Sequence, residues 1–217
     1  MKIAQLLARR MLTHDTQQLI FTRPRGFDFL PGQGVAVALN EEAWKLKKRP
    51  FSPTSLVDDD ILEFIIKCYP DHHAVTEALH AAPIGTQVML GNPFGNLTYR
   101  GSGYFLAGGV GITPFIAIAR HLREQGNEDE NTLIYSARTE KDIINRQELD
   151  ELFSVCHYTV SRQKSEQYRV GRINKSMVKK VTDKKKLCYV CGPPAFVQDI
   201  CEMLEHAGVP KQNIVLE

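Results

Sequence analysis

Near residue 102 the hydrophobic pattern of the chain changes its period. Downstream, apolar strands alternate with segments of helical period. The strands are expected at Tyr104–Ala107, Thr132–Ser136, Tyr158–Ser161, Leu187–Cys191 and Ile214–Leu216, the helices at Pro114–Gln125, Asp142–Phe153, Asn174–Val181 and Pro194–His206. Alternation sustained over more than a hundred residues implies parallel pairing with right-handed crossovers, so 102–217 should form a doubly wound, five-stranded parallel sheet. Sheets of this kind bind ligands at their carboxyl edge.

Upstream, residues 1–98 read as an antiparallel sandwich or small barrel of six strands: Ile3–Met11, Gln18–Thr22, Gly34–Leu39, Arg49–Ser55, Ile61–Cys68 and Gln87–Leu90. Pro24-Arg25-Gly26, Pro31-Gly32, Asp58-Asp59-Asp60 and Pro70-Asp71 supply the turns. One short helix interrupts them, because Val75, Ala78, Leu79 and Ala82 recur at helical spacing. The boundary at Asn96 to Ser102 is too short for a flexible linker, so the two halves should share a rigid cleft.

Composition narrows the class. With 43% hydrophobic and 24% charged residues the chain is an ordinary globular protein, and a formal charge of +2 without a long basic tract argues against nucleic acid. Gly101 to Ala119 runs 19 residues without a charge, but five glycines and Pro114 break it, which suits a strand, a turn and a helix start rather than a membrane span. The apolar stretch in MKIAQLLARRML is short, contains Gln5 and ends at Arg9-Arg10, unlike a secretory leader. Five cysteines without metal-site spacing then point to reduced thiols and a cytoplasmic protein.

The densest motif is Gly108-Gly109-Val110-Gly111-Ile112-Thr113-Pro114, between an apolar strand and a helix. Thr113 is expected to cap that helix and Pro114 to open it, while Gly109 and Gly111 let backbone amides approach a phosphate. The alternative is a turn whose glycines only permit tight packing. A second strand-to-helix edge, Cys191-Gly192-Pro193-Pro194, should bring Cys191 to the same cleft. Cys188 and Cys191 lie three apart on one strand and so face opposite sides, which disfavours a redox or metal pair. In the first half Arg49-Pro50-Phe51-Ser52 combines a cation, a ring and a hydroxyl, but bringing Ser52 to the same side as Arg49 and Phe51 requires a bend in the strand.

Arg49-Pro50-Phe51-Ser52, Val75-Thr76 opening a short helix, Gly91-Asn92-Pro93-Phe94-Gly95, Gly108 to Pro114 and Cys191-Gly192-Pro193-Pro194 occur in that order. Together they resemble the ferredoxin–NADP+ reductase family over nearly the whole chain. The resemblance implies a flavin-binding β-barrel followed by a nicotinamide-binding α/β domain, with hydride passing between NAD(P)H and flavin N5. It implies FAD as the flavin, with Arg49, Pro50, Phe51, Ser52, Val75 and Thr76 as its contacts. Phe51 stands where the family usually has tyrosine, and Ser52 matches the hydroxyl near N5. Cys191 resembles the thiol beside nicotinamide C4, with Gly192 and Pro193 beside it. Asn213-Ile214-Val215-Leu216-Glu217 resembles the family's last strand, in which a glutamate precedes an aromatic. Glu217 then takes the polar role near the nicotinamide, and the sequence stops before the covering aromatic.

The strand ends Ser136-Ala137-Arg138 and Ser161-Arg162 carry no acid, which makes Arg138 and Arg162 candidates for a 2′-phosphate; Ser161-Arg162 resembles the pair that receives it in NADPH-using members, with Arg169 or Arg172 as a second cation. NADPH is the expected donor and NADH the alternative. No metal is expected at His72, His73 and His80, and no iron–sulfur cysteine set is visible. Lys179-Lys180 and Lys184-Lys185-Lys186 are a solvated loop or a dock for an acidic electron carrier such as ferredoxin or flavodoxin. The competing activities are a free-flavin or ferric-chelate reductase, and a non-catalytic flavoprotein or electron-transfer subunit of a larger complex.

Overall fold

The computed structural model describes residues 1–69, 75–127, 129–180 and 183–216. Its first half is an antiparallel sheet of β1 (Lys2–Met11), β2 (Thr16–Thr22), β3 (Gly34–Leu39), β4 (Arg49–Phe51), β5 (Ile61–Lys67) and β6 (Gln87–Phe94), ordered β4-β3-β6-β1-β2-β5. A single bridge between Pro53 and Phe64 joins the chain just beyond β4 to β5 at the far edge, closing the sheet on itself. This bridge explains why the strand expected over Arg49–Ser55 is only three residues long. Phe51 still pairs with Val35 of β3, whereas Pro53 already pairs with β5, so the chain changes neighbours at Ser52. The required bend lies there.

Strand β5 positions the whole molecule. Its period of two sends Leu62, Phe64 and Ile66 into the barrel core, with Leu6, Leu19 and Phe21, and turns Glu63, Ile65 and Lys67 the other way. Ile65 is 2% exposed and belongs to the core of the second half, the cluster that includes Phe115 and Ile118. The short helix α1 (Val75–Ala81) closes the barrel with Val75 and Leu79.

The second sheet contains β7 (Gly103–Gly108), β8 (Thr132–Ala137), β9 (Val155–Val160), β10 (Arg169–Val170), β11 (Leu187–Cys191) and β12 (Ile214–Leu216), all parallel, in the order β10-β9-β8-β7-β11-β12. It has six strands rather than five, because Arg169–Val170 pairs with Thr159 and Val160. Both residues of β10 are exposed, so no hydrophobic period announces it. Strand β9 also begins three residues before the expected Tyr158. Helices α2 (Thr113–Glu124) and α3 (Arg146–Leu152) cover one face, and α4 (Lys175–Lys180) and α5 (Pro194–His206) the other. Cys191 lies in the first of these cores and Cys188 in the second, as the period of two requires.

Three helix starts differ from expectation, α4 by one residue, at Lys175 rather than Asn174. Instead of one helix over Asp142–Phe153 there is a 3-10 turn at Glu140–Asp142 and then α3, separated by Asn145 at φ +49°. Thr139 and Asp142 exchange capping bonds and complete the first turn by themselves; asparagine tolerates the left-handed region that follows. At α2 a 3-10 turn, Gly109–Ile112, precedes the helix, so Thr113 is already helical and Pro114 is second. Thr113 does not cap; its Oγ1 donates to Val110 O at 3.1 Å.

Candidate functional site

The chain order reverses between β7 and β11, whose carboxyl ends stand side by side with Ala107 opposite Cys191. A crevice opens at such a reversal, outside the strand ends. Here it meets the outward face of β5 and becomes two adjoining clefts.

The larger cleft, about 590 Å³, lies between the halves. The barrel contributes Arg49, Pro50, Phe51, Ser52 and Thr76, and the α/β half contributes Gly111, Thr113, Pro114, Cys191, Gly192 and Pro193. The structure thus brings Ser52 and Cys191, 139 residues apart in sequence, to one cavity. Arg49 is exposed and gives Nη1 to Lys48 O at 2.9 Å, Phe51 is half-buried and Ser52 is buried. Thr76 Oγ1 is buried without a hydrogen-bond partner. The Val75 side chain is spent in the barrel core, so only its backbone is available to a ligand. Gly91 to Gly95 complete β6 and its turn and line neither cleft.

The glycines divide into two kinds. A Cβ on Gly111 would stand 2.5 Å from Cys191 O, and one on Gly192 2.6 Å from the Phe196 ring. A Cβ on Gly108 would stand 2.8 Å from the same ring. These positions need glycine for packing. Gly109, at φ +55°, would meet nothing within 4 Å, so its backbone borders open space.

That space is the second cleft, about 380 Å³, lined by Gly109, Ser136, Arg138, Ser161, Arg162, Arg172 and Phe196 among others. Of the two candidate partners for Arg162, Arg172 lines this cleft beside Arg138, whereas Arg169 gives Nη2 to Asn174 Oδ1 and Ser176 Oγ instead. Two carboxylates, Asp142 and Asp199, also line it. They come from the loop after β8 and from α5, not from the strand ends.

Lys67, Tyr69, Val110 and Pro193 line both clefts and mark their junction. Lys67 and Tyr69 escaped motif reading, although the alternation of β5 puts Lys67 on the face of Ile65. Asp15 accepts from Lys67 Nζ, Thr13 Oγ1 and Thr16 Oγ1. Burial pushes its carboxyl up, but these bonds and the lysine charge outweigh burial and hold it below its ordinary value. Burial raises the Tyr69 phenol, and Arg138 works against that shift.

Glu217, His72, His73 and residues 181–182 lie outside the described residues. Burial pulls His80 below its ordinary value, and its Nε2 lies 2.8 Å from Ile66 O. Among the described residues, potential metal ligands gather at His14, Asp15 and Asp142, but both carboxylates are already engaged, Asp15 as above and Asp142 by Thr139.

Comparison with known proteins agrees with this geometry. Residues 3–99 match the oxidoreductase FAD-binding domain, and residues 105–202 the oxidoreductase NAD-binding domain. The chain belongs to the ferredoxin–NADP+ reductase-like family. Its relatives include the ferredoxin–NAD(P)+ reductase component of a Pseudomonas putida naphthalene 1,2-dioxygenase system, 26% identical over 93% of this chain and 64% of its own. NADH-cytochrome b5 reductase 2 of Mus musculus is 27% identical over 89% of this chain and 85% of its own. An NADH nitrate reductase of Lotus japonicus is 27% identical over 98% of this chain. The chain spans 28% of that nitrate reductase's length. Two solved structures share the fold at 19% identity, each covering 100% of this chain and 97% of its own. They are the FAD/NAD-binding domain of a Vibrio cholerae nitric oxide dioxygenase, TM-score 0.87, and a Neisseria gonorrhoeae ferredoxin NADP+ reductase with bound FAD and NADP, TM-score 0.81.

Both clefts fit the groups this family carries. The orphaned Thr76 hydroxyl, the Arg49 cation and the Phe51 ring in the larger cleft suit an anionic flavin nucleotide. The open backbone at Gly109, which shares the smaller cleft with three arginines, suits a dinucleotide phosphate.

Proposed function

We propose that the chain is an NAD(P)H-dependent flavoprotein reductase that takes hydride from NADPH and hands electrons to a separate carrier. The observation that supports this best is the larger cleft, in which barrel residues suited to a flavin face Cys191 and Pro193 of the nucleotide half. Bound FAD supplies the ring nitrogen N5 that accepts hydride from nicotinamide C4.

The chain's own residues bind, orient and exclude water. Arg49 and Thr76 would hold the phosphate oxygens of the flavin nucleotide, Phe51 would supply a ring face for it, and Ser52 would offer it a hydroxyl. Cys191, buried against the backbone of Gly111, sets the depth at which a nicotinamide enters. Positioning of this kind matters because transfer needs the reacting atoms about 3–3.5 Å apart. Ser161, Arg162, Arg138 and Arg172 receive the adenosine end of the donor, where the arginines favour a 2′-phosphate. A carrier that takes electrons singly, such as ferredoxin or flavodoxin, fits a reductase of this family and is the proposed acceptor.

Anaerobic titration of the FAD-loaded chain with NADPH, and separately with NADH, tests the reading. NADPH is expected to bleach the flavin absorption at stoichiometric amounts; a flavin that stays oxidised with both donors overturns it. Arg162→Ala should lower the preference for NADPH over NADH about tenfold, the loss expected from one charge-assisted contact. An unchanged preference removes Arg162 from the specificity site.

A further inference from the structure

Outside the lining of both clefts, the two halves also meet at Arg120 of α2. Its Nη1 donates to Glu63 Oε1 and to Thr54 O, each at 2.7 Å, both in the barrel. Its Nε and Nη2 donate to the two carboxylate oxygens of Glu148 on α3, at 2.5 and 3.0 Å. Glu63 is 8% exposed, and its other contacts stay within the barrel: Thr54 Oγ1 at 2.7 Å and Gln18 Nε2 at 2.6 Å. Burial alone would lower the guanidinium's pKa; Glu148 and Glu63 more than reverse that and hold it above its ordinary value. A fork of fixed geometry between two carboxylates transmits position as well as charge.

The fork ties together the two walls of the larger cleft. On the barrel side, Thr54 N donates to Glu63 O at 2.8 Å and Glu63 N to Ser55 Oγ at 3.2 Å, so the segment that carries Ser52 is laced to the residue Arg120 grips. On the other side Thr113 and Pro114 line the cleft. Arg120 sits two turns further along the same helix, about 10 Å at 1.5 Å per residue. We propose that Arg120, through Glu63 and Thr54, is a positioning residue that fixes the distance between the flavin wall and the nicotinamide wall. The inference rests on the reading of the larger cleft as the place where the two cofactors meet.

The test compares Arg120→Gln, Arg120→Lys, Glu63→Gln and Glu148→Gln with the unaltered chain. Flavin reduction at saturating NADPH, followed by rapid anaerobic mixing, should slow about 10- to 100-fold in Arg120→Gln, the scale expected for a displacement near 1 Å. FAD content and the KM for NADPH should stay the same. Arg120→Lys should recover part of the rate. Glu63→Gln, which weakens the link between halves, should slow reduction more than Glu148→Gln, which weakens a link within one half. In the cofactor-free protein, amide exchange in residues 52–55 and in β5 should quicken in Arg120→Gln and Glu63→Gln. A loss of thermal stability with an unchanged rate, or a Glu63→Gln effect no larger than that of Glu148→Gln, overturns the proposal. Should Arg120→Gln not fold, Arg120→Lys and Glu63→Gln decide. If the unaltered chain is not reduced by NADPH or NADH, the reading of the cleft fails. Amide exchange then still judges the clamp, which unchanged protection refutes.

Discussion

The two walls of the larger cleft are built differently. The barrel wall presents side chains, with Arg49, Phe51, Ser52 and Thr76 emerging where the chain changes strand partners or starts a helix. The α/β wall presents mostly backbone, because Gly111 and Gly192 pack against Cys191 and Phe196 so closely that a methyl group has no room. A side-chain wall can change its ligand without changing its fold. A backbone wall cannot, because what shapes the site also holds the sheet to its helices.

Substitutions on the two walls should therefore fail in different ways. Gly111→Ala should have the largest effect, about 3 kcal/mol or more of stability lost to overpacking against backbone, read from denaturant midpoints. Gly109→Ala, in open space at φ +55°, should lose only about 1–2 kcal/mol to backbone strain while weakening dinucleotide binding. Equal losses at the two positions would erase the distinction between packing glycine and ligand-facing glycine. Arg49→Ala should leave the melting temperature of the cofactor-free chain unchanged and weaken FAD binding about 10- to 100-fold, the loss of one hydrogen bond to a charged group. Its measure is flavin release on dilution, and a loss of fold instead would mean that the barrel wall is structural.

The smallest effect concerns the junction. Asp15 is held below its ordinary value of 3.8, so on acidification the unfolded chain takes up this proton before the folded one. Its contribution is complete above about pH 4 and declines as pH falls through the folded value. Asp15→Asn should flatten that part of the acid unfolding curve, and a curve of unchanged shape would show that the Lys67 pair does not contribute.

What could be read beforehand follows from range. Local periodicity located eleven strands and most of the helices, because alternation and helical spacing are written within a few neighbouring residues. The exposed pair Arg169–Val170 has no such pattern, and Asn145 breaks a helix through its own backbone conformation rather than through spacing. Thr113 resembled a cap, yet the 3-10 turn at Gly109–Ile112 moved the helix start back by a residue. The bend at Ser52 has no local signature, because it depends on a bridge between Pro53 and Phe64 formed only when the sheet closes. Arg120 and Glu63, 57 residues apart, carried no local signal at all. A buried charge in the apolar run ILEFIIK was the one trace of that pair.

The most direct measurement is a crystal structure of the chain with FAD and NADP+ bound. The flavin ring is expected between Phe51 and Ser52 on one side and Cys191 on the other, with the adenosine ribose at Ser161 and Arg162. A flavin seated away from the cleft shared by Ser52 and Cys191 would contradict the assignment of that cleft as the place of hydride transfer.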